Sequence, residues 1–305
     1  GGTNIKWVVV EQDGQDWRVL DRDQVATVAP DGPEAVVARL AAVGVEAAGR
    51  TPGPTTVGIG VPGLYDPSDG STRFLVNLPG EWAGRAVAGP VGSALGLPAW
   101  LVNDARAFGL AELRVGAGRG AASMIGFTLG TGIGGVIAVD GRVHQGHDGT
   151  AGELGHQTIE PDGPWCGCGN RGCLEAFARA DQIAAACGTA TAEEALARAR
   201  AGDPQAVDGI ARIGRYLGIG IANAITLITP DRVVIGGGIA AAADLLLEPI
   251  RAELRLRVRT TALDRVQIVT AELGTWAGAI GAAIHGAEMA RQSMTGTRGV
   301  AAGTR

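Results

Sequence analysis

The chain has 305 residues, of which 46% are hydrophobic, and its formal net charge is −5. This length can hold two domains of ordinary size, and this apolar fraction excludes an intrinsically disordered protein. The acidic balance argues against a nucleic-acid partner, and the sequence has no apolar run of about 20 residues that would span a membrane.

The N-terminal part of the sequence alternates between apolar strands and helices with one apolar face. Residues 1–10 begin with glycines and continue as a β-branched apolar run, which predicts a turn followed by a strand. The next predicted elements are a short strand at 25–28, a helix at 33–48, a strand at 56–62, a helix at 82–95 and a strand at 99–102. This alternation is typical of an α/β domain.

The C-terminal part continues the alternation with longer helices. It begins with a predicted helix at 105–114, a hairpin of strands at 123–128 and 135–139, a helix at 175–186, and two or three helices between 190 and 228. A strand at 232–235, a helix at 240–257, a strand at 266–270 and a helix at 277–291 follow. The tail from Gln292 is rich in Gly, Thr and Ser, and we expect it to be disordered.

Glycine-rich turns follow or precede apolar strands at three places. They are Gly1-Gly2-Thr3, the run Leu129-Gly130-Thr131-Gly132-Ile133-Gly134-Gly135, and Gly236-Gly237-Gly238. Glycine lets backbone N–H groups approach an anion closely, and a Thr hydroxyl adds a donor, so two such turns in one cleft could hold nucleotide phosphates. Each turn alone is also typical of an ordinary hairpin, and none has the G-K-[ST] ending of a Walker P-loop.

One His and three Cys fall within residues 156–173, HQTIEPDGPWCGCGNRGC. His156, Cys166, Cys168 and Cys173 are suitable ligands for one tetrahedral Zn²⁺, and four protein ligands leave no open position, so we expect a structural metal. The remaining Cys187 is expected to be a small buried side chain. An unpaired Cys beside a metal-spaced trio indicates a reducing compartment, and so the cytoplasm.

Two further patterns could carry chemistry. Glu153-x-x-His156 places a carboxylate and an imidazole on one face of a turn, which suits the neighbouring hydroxyls of a sugar. Asp104 follows an apolar strand, where a carboxylate could take a proton from a hydroxyl that attacks phosphorus. The alternative for Asp104 is a helix N-cap, and the sequence leaves both interpretations open.

These motifs resemble those of the ROK sugar kinases and repressors, within the actin-like/hexokinase ATPase superfamily. The similarity covers almost the whole chain and is most specific in Glu153-Leu-Gly-His156 with the segment from Cys166 to Glu175. It implies a two-lobed α/β fold of the actin-like ATPase (ribonuclease H-like) type, with an interlobe cleft and a structural zinc loop at 156–173. The lobes would be residues 1–103, completed by helix 277–291, and residues 104–276, followed by a flexible tail at 292–305.

The resemblance also implies the activity: ATP-dependent phosphorylation of the 6-hydroxyl of a hexose, with glucose as the expected substrate, Mg²⁺ accompanying ATP, and a homodimer or homotetramer as the assembly. Asp104 would be the catalytic base. The implied sugar ligands are Asn77, Asn103, Asp104, Glu153, His156 and Glu175. The implied nucleotide-binding residues are Gly1, Gly2, Thr3, Asn4, Lys6, Gly130, Thr131, Gly132, Gly236, Gly237 and Gly238.

The sequence departs from the family pattern in ways that bear on the substrate. Arg106 stands where many members have Asn, and Ala178-Arg179-Ala180 replaces a small Ser-Gly pair. An Asp that helps to hold Mg²⁺ precedes the paired glycines in the family, so we expect the native chain to begin before Gly1. The alternatives are a kinase for N-acetylmannosamine, fructose or kanosamine, and a sugar-responsive repressor whose DNA-binding segment would precede Gly1.

Overall fold

The computed structural model describes residues 2–14, 16–51, 53–75 and 78–300, apart from the side chains at 240, 241 and 295–300. Gly1, Asn77 and the predicted tail beyond residue 300 therefore lie outside the described residues. Contacts divide the chain into two units. Unit 1 groups Gly1–Val115, His147–Thr150 and Trp276–Arg305, and unit 2 groups Gly116–Gly146 and Ala151–Thr275. The boundary that the sequence places at residues 103 and 104 stays a prediction.

The elements follow one another in an α/β order. The strands are β1 (Asn4–Asp13), β2 (Asp16–Ala26), β3 (Val57–Val61), β4 (Gly63–Asp66), β5 (Ser71–Leu75), β6 (Arg85–Ala86), β7 (Ala99–Asn103), β8 (Met124–Leu129), β9 (Ile133–Val139), β10 (Arg142–Val143), β11 (Arg232–Gly236) and β12 (Gln267–Thr270). The α-helices are α1 (Pro33–Arg50), α2 (Ala88–Leu95), α3 (Asp104–Val115), α4 (Glu175–Ala178), α5 (Ala180–Cys187), α6 (Ala192–Arg200), α7 (Pro204–Ile228), α8 (Ala243–Arg257) and α9 (Ala277–Val300).

Unit 1 is built around the parallel pair β3 and β7, in which Val61 lies opposite Asn103. Apolar side chains of α1 and α2 pack against these strands, and Ile59, Val61 and Leu101 are buried in the shared core. Helix α9 packs against β3 at backbone distance, because a Cβ on Gly58 would lie 1.6 Å from the carbonyl oxygen of Ala282. The carboxyl ends of β3 and β7 therefore meet at one edge, where the chain enters α3.

Helix α9 also carries a buried titratable group. Burial lowers the pKa of His285, whereas the charge of Glu288 and a hydrogen bond to the Leu101 backbone act in the opposite direction. Glu288 in turn accepts a hydrogen bond from Arg114 of α3 at 2.8 Å. The last helix is thus tied to both β7 and α3.

Unit 2 contains a mixed five-stranded sheet in the order β10-β9-β8-β11-β12. Strands β8, β11 and β12 run parallel, and β9 pairs antiparallel with β8 as the predicted hairpin requires. Helix α7 is capped by Asp203, whose side chain accepts a hydrogen bond from the N–H of Ala206, and begins at Pro204. Its buried face, with Leu217 and Ile221, joins Phe127 of β8 in one apolar core.

Several elements differ from the sequence prediction. The helix predicted at 82–95 begins only at Ala88, because Gly84 adopts φ 71° and Arg85–Ala86 pairs with β5 as a strand. The helix predicted at 175–186 is interrupted at Arg179, since the N–H of Ala180 donates to the carbonyl of Gly130. Strands β4 and β5 were not expected, and β2 is longer than the predicted strand at 25–28.

Helix α9 continues to Val300, beyond its predicted end at Arg291. The Ser293 hydroxyl donates to the carbonyl of Met289 within this extension. Within the described residues, no helix combines the length and the apolar character that crossing a membrane requires.

Candidate active site and metal centre

The His and Cys side chains of the predicted zinc loop converge in unit 2. One ligand atom from each of His156, Cys166, Cys168 and Cys173 lies within 4.8 Å of the others. The Sγ atoms of Cys168 and Cys173 are 3.7 Å apart, and Sγ of Cys166 is 3.6 Å from Nδ1 of His156. Zn–S and Zn–N bonds of about 2.3 and 2.0 Å give tetrahedral edges of roughly 3.5–3.8 Å, so the donor set fits Zn²⁺.

The loop backbone explains how these ligands are held together. Isolated bridges pair Thr158 with Cys173 and Trp165 with Arg171, which closes the loop as a short hairpin. Gly172 has φ 69°, and a Cβ there would lie 1.6 Å from the carbonyl oxygen of Glu160, so this position requires glycine. The loop therefore holds its ligands through its own backbone.

The three thiols of the cluster differ in their exposure to solvent. Cys166 and Cys173 are buried and Cys168 is exposed. Burial raises the pKa of Cys166 to about 12. A metal that binds there must displace the thiol proton, because thiolate is the ligand.

The imidazole of His156 has one nitrogen near the cysteines and the other near Glu153. Its Nδ1 atom faces Cys166, and its Nε2 atom lies 4.0 Å from Oε2 of Glu153. Glu153 is exposed and His156 is half-buried, so both can reach a polar ligand while Nδ1 stays in the cluster. The 3-10 turn Leu154–His156 places these two side chains next to each other.

Glu175 lies between the metal cluster and the glycine-rich turn. Its Oε2 atom accepts a hydrogen bond from the N–H of Ile133 at 2.8 Å, and its Oε1 atom is 3.8 Å from Sγ of Cys166. A Cβ on Gly132 would lie 2.5 Å from Oε2 of Glu175. The sequence suggested a sugar ligand here and did not reveal this contact, because 42 positions separate Ile133 from Glu175.

Two of the predicted nucleotide turns are neighbours within unit 2. Strands β8 and β11 are parallel, with Thr128 opposite Gly236, so the turns that follow them lie at one sheet edge. Gly237 has φ 92°, and a Cβ on it would lie 2.3 Å from the carbonyl oxygen of Leu129. This close approach brings Gly236-Gly237-Gly238 beside the start of the Gly130-Thr131-Gly132 turn.

Asn103 and Asp104 occupy the carboxyl end of β7 in unit 1. The Oδ1 atom of Asn103 accepts hydrogen bonds from the N–H groups of Ala105 at 3.0 Å and Arg106 at 3.1 Å, which is the geometry of an N-cap. Its Nδ2 group donates to the carbonyl of Gly63 at 3.1 Å. The cap of α3 is therefore Asn103, and the alternative that Asp104 serves as the cap is wrong.

Asp104 is instead the first residue of α3 and is exposed, whereas the residues around it in the chain are buried. Its Oδ1 atom accepts from the N–H of Ala105 at 2.8 Å. The positive end of the helix favours a charged carboxylate at this position. Asp104 thus presents an anionic oxygen at the surface of unit 1.

The residues that depart from the family pattern have defined surroundings. Arg106 is 1% exposed, and Tyr65 is half-buried. Burial raises the pKa of Tyr65, and the charge of Arg106 acts in the opposite direction. Arg179 is partly exposed and donates from Nε to Asp181 at 2.7 Å. The first departure lies in the core beneath Asp104, and the second lies where α5 begins.

The first glycine-rich turn leads into β1 in unit 1. Asn4 pairs with Ala26 of β2, and the N–H of Thr27 donates to the carbonyl of Thr3. The Lys6 ammonium lies 5.5 Å from the ring centroid of Trp276, and burial lowers its pKa.

The structure thus brings the predicted site residues together in two groups, one in each unit. Unit 2 assembles the metal ligands with Glu153, Glu175 and the two adjacent glycine turns, and unit 1 holds Asn103, Asp104 and the first turn. Sequence reasoning missed Gly63, whose carbonyl positions the Asn103 amide. Its φ of 143° was signalled only by the Pro62-Gly63 pair after β3.

Comparisons of sequence and of structure with known proteins match this chain to the same family. The model of the ROK family matches residues 1–288. A glucokinase of Thermotoga maritima is 35% identical over 302 residues, which cover 93% of this chain and 94% of that protein. A ROK family glucokinase from Streptomyces griseus, solved in complex with glucose and AMPPNP, superposes with a TM-score of 0.80 at 32% identity, over 94% of this chain and 97% of that one. The ROK hexokinase from Thermus thermophilus superposes with a TM-score of 0.81 at 34% identity, over 96% of this chain and 97% of that one.

Proposed function

This chain belongs to the ROK family, and on that premise we propose that it is an ATP-dependent hexose kinase that converts glucose to glucose 6-phosphate. The observation that carries the proposal is the similarity to glucokinases along nearly the full length of both chains. The fold is the α/β fold of ROK sugar kinases. The two-lobed arrangement with a cleft, which the family resemblance implies, stays a prediction.

Phosphoryl transfer needs a positioned nucleophile and neutralised charge more than covalent help from the protein. In the proposed reaction, Asp104 takes the proton of the sugar 6-hydroxyl as that oxygen bonds to the terminal phosphorus of ATP, and ADP leaves. Its exposed position at the end of β7 supports this role. Mg²⁺ would accompany ATP and neutralise charge on its phosphates.

The sugar would be held by Asn103, Glu153, His156 and Glu175. The metal cluster supports this role of His156, because Nδ1 points to the cysteines and Nε2 remains for a hydroxyl. A Zn²⁺ bound by His156 and the three cysteines would fix the imidazole plane and supply no reaction chemistry, because all its positions are filled by protein. The Gly130-Thr131-Gly132 and Gly236-Gly237-Gly238 turns would hold the nucleotide.

The assignment of the base is tested with Asp104→Asn. Loss of a general base typically lowers the rate by about 10²–10⁴-fold. We expect kcat to fall by this amount while glucose affinity, measured by calorimetry, stays within about tenfold of the wild type. Asp208→Asn is the matched control, since Asp208 is an exposed aspartate of α7 outside the proposed site. Near-normal turnover in the Asp104 variant would exclude it as the base.

The substrate is tested by following ADP release with a panel of hexoses. We expect the highest kcat/KM with glucose and lower values with N-acetylmannosamine, fructose and kanosamine. A higher value with any of these would reassign the sugar. We also propose a cytoplasmic location, which the unbridged cysteines support, and the homodimer or homotetramer expected from the resemblance stays a prediction.

A further inference from the structure

The carboxylate of Glu175 joins two parts of unit 2 that are far apart in sequence. One oxygen accepts the N–H of Ile133, at the end of the glycine-rich turn, at 2.8 Å. The other oxygen lies 3.8 Å from Sγ of Cys166, a member of the metal cluster. A single side chain therefore contacts both the cluster and the turn.

The turn is in close contact with this carboxylate. A Cβ on Gly132 would lie 2.5 Å from Oε2 of Glu175, so the turn backbone lies directly against the carboxylate. On its other side, a Cβ on Gly155 would lie 2.0 Å from the carbonyl oxygen of Ile133. Gly155 immediately precedes His156, so a second segment of the metal cluster is also packed against this turn.

The segment that carries Glu175 is buried and hydrogen-bonded to the start of the loop. Cys173 and Leu174 are both 0% exposed, and the N–H of Leu174 donates to the carbonyl of Gln157 at 3.0 Å. Displacing Cys173 would therefore displace Glu175 two residues later. A hydrogen bond to a charged acceptor is roughly twice as strong as a neutral one, so the turn would follow the carboxylate.

We propose that Glu175 is a positioning residue that couples the metal cluster to the glycine-rich turn. Metal bound at the cluster fixes Glu175 and, through it, the Ile133 N–H and the turn that receives the phosphate donor. By linkage, a donor bound at the turn raises the affinity for the metal, and we expect this tighter binding to appear as slower release. This inference rests on the proposed function, in that it takes Gly130-Thr131-Gly132 as the donor site.

The coupling is tested without turnover by measuring zinc release to a colorimetric chelator. Wild-type protein loaded with zinc is compared with and without saturating AMPPNP and Mg²⁺, in the absence of sugar. Couplings between sites are typically 5- to 150-fold, so we expect AMPPNP to slow release at least about fivefold. An unchanged rate in protein that binds AMPPNP would overturn the proposal.

Two variants separate this role from a simple role in holding sugar. Glu175→Ala removes the acceptor of the Ile133 N–H, and we expect AMPPNP no longer to slow release. Glu175→Gln keeps an acceptor oxygen, and we expect it to retain most of the protection. If Glu175 only binds sugar, all three proteins would show equal protection by AMPPNP, which would refute the coupling.

Gly132→Ala provides an independent perturbation that keeps every metal ligand and Glu175 itself, so it remains informative if Glu175→Ala fails to hold zinc. Its new methyl group must displace the carboxylate, and we expect protection to be lost. Gly130→Ala adds the same methyl group with no atom within 4 Å and measures the direct effect of a methyl in the turn. Equal protection in both variants would contradict the coupling, whereas failure of wild-type protein to bind AMPPNP would contradict the proposed function instead.

Discussion

The close contact between α9 and α3 allows a sharp test of how the fold positions Asp104. A Cβ on Gly281 of α9 would lie 1.7 Å from the carbonyl oxygen of Ala107 in α3. Ala107 is one turn beyond Asp104 in the same helix, so a substitution at Gly281 should displace the proposed base. Gly281→Ala is the smallest change that makes this contact.

The expected magnitude follows from this distance. Carbon and carbonyl oxygen approach to about 3.3–3.6 Å, so the two helices must separate by roughly 1.7 Å. Overpacking costs about 1–3 kcal/mol, and a clash with backbone belongs at the upper end, whereas replacing Gly by Ala within a helix returns about 1 kcal/mol. We expect a net loss of about 2 kcal/mol in the free energy of unfolding. A misplacement of about 1 Å can cost 10²-fold in rate, so kcat/KM should fall by about that factor.

The assay compares Gly281→Ala with Gly278→Ala, a matched change in the same helix whose Cβ would meet no atom within 4 Å. Urea unfolding should show a lower midpoint for Gly281→Ala than for the wild type. For Gly278→Ala the midpoint should be higher, because Ala in a helix raises the free energy of unfolding by up to about 1 kcal/mol. Turnover is measured on the same preparations. Wild-type stability and turnover in Gly281→Ala would show that this contact does not position α3.

Three further predictions concern the metal, the helix cap and pH. Cys168→Ser should lower the affinity for zinc by more than the 10- to 100-fold that changes outside the ligand set cost, and it should also weaken glucose binding, whereas Cys187→Ala should keep zinc. Elemental analysis measures the bound zinc, and calorimetry measures the glucose affinity. A zinc-free variant with unchanged glucose affinity would show that metal binding and sugar binding are independent. Asn103→Ala removes the cap of α3 and should lower stability in urea by about 1–2 kcal/mol, and no change would contradict the capping role. Burial holds the folded pKa of His285 below about 6.5, so the unfolded state binds more protons and stability should fall as pH drops below that value. Urea midpoints measured between about pH 5 and 7.5 should fall less with acid in His285→Gln than in the wild type. The same pH profile in both proteins would refute the role of His285.

The sequence predicted correctly those strands and helices that are determined by signals within their own residues. The β8–β9 hairpin and α7 were predicted because apolar spacing, glycines and the Asp203 cap are all local signals. The predicted helix start at Trp82 was wrong, since the helix begins at Ala88. The residues before it have distant partners, as when the hydroxyl of Thr72 donates to the carbonyl of Trp82. The exposed strand β2 has polar residues on both faces, so no alternation marked its length.

In the candidate site, too, local sequence signals were predictive and distant contacts were not. The convergence of His156, Cys166, Cys168 and Cys173 was predicted because the four residues lie within one short segment. Their spacing is typical of a zinc donor set. The role of Asn103 could not be separated from that of Asp104, because neighbouring Asn and Asp are equally good caps and only the backbone geometry decides between them. The contact of Glu175 with Ile133 has no sequence signal, since it arises from the packing of the cluster on the sheet.

Within the described residues, the four side chains of the proposed zinc site all fall in residues 156–173, which has a consequence for biosynthesis. A peptide of this length can capture zinc as it leaves the ribosome, while the rest of the chain still needs on the order of ten seconds of translation at 5–20 residues per second. If the unfolded chain also binds the ion, zinc would add less to global stability than its affinity suggests. Zinc supply during expression, more than zinc added after purification, should therefore determine how much of the protein matures correctly.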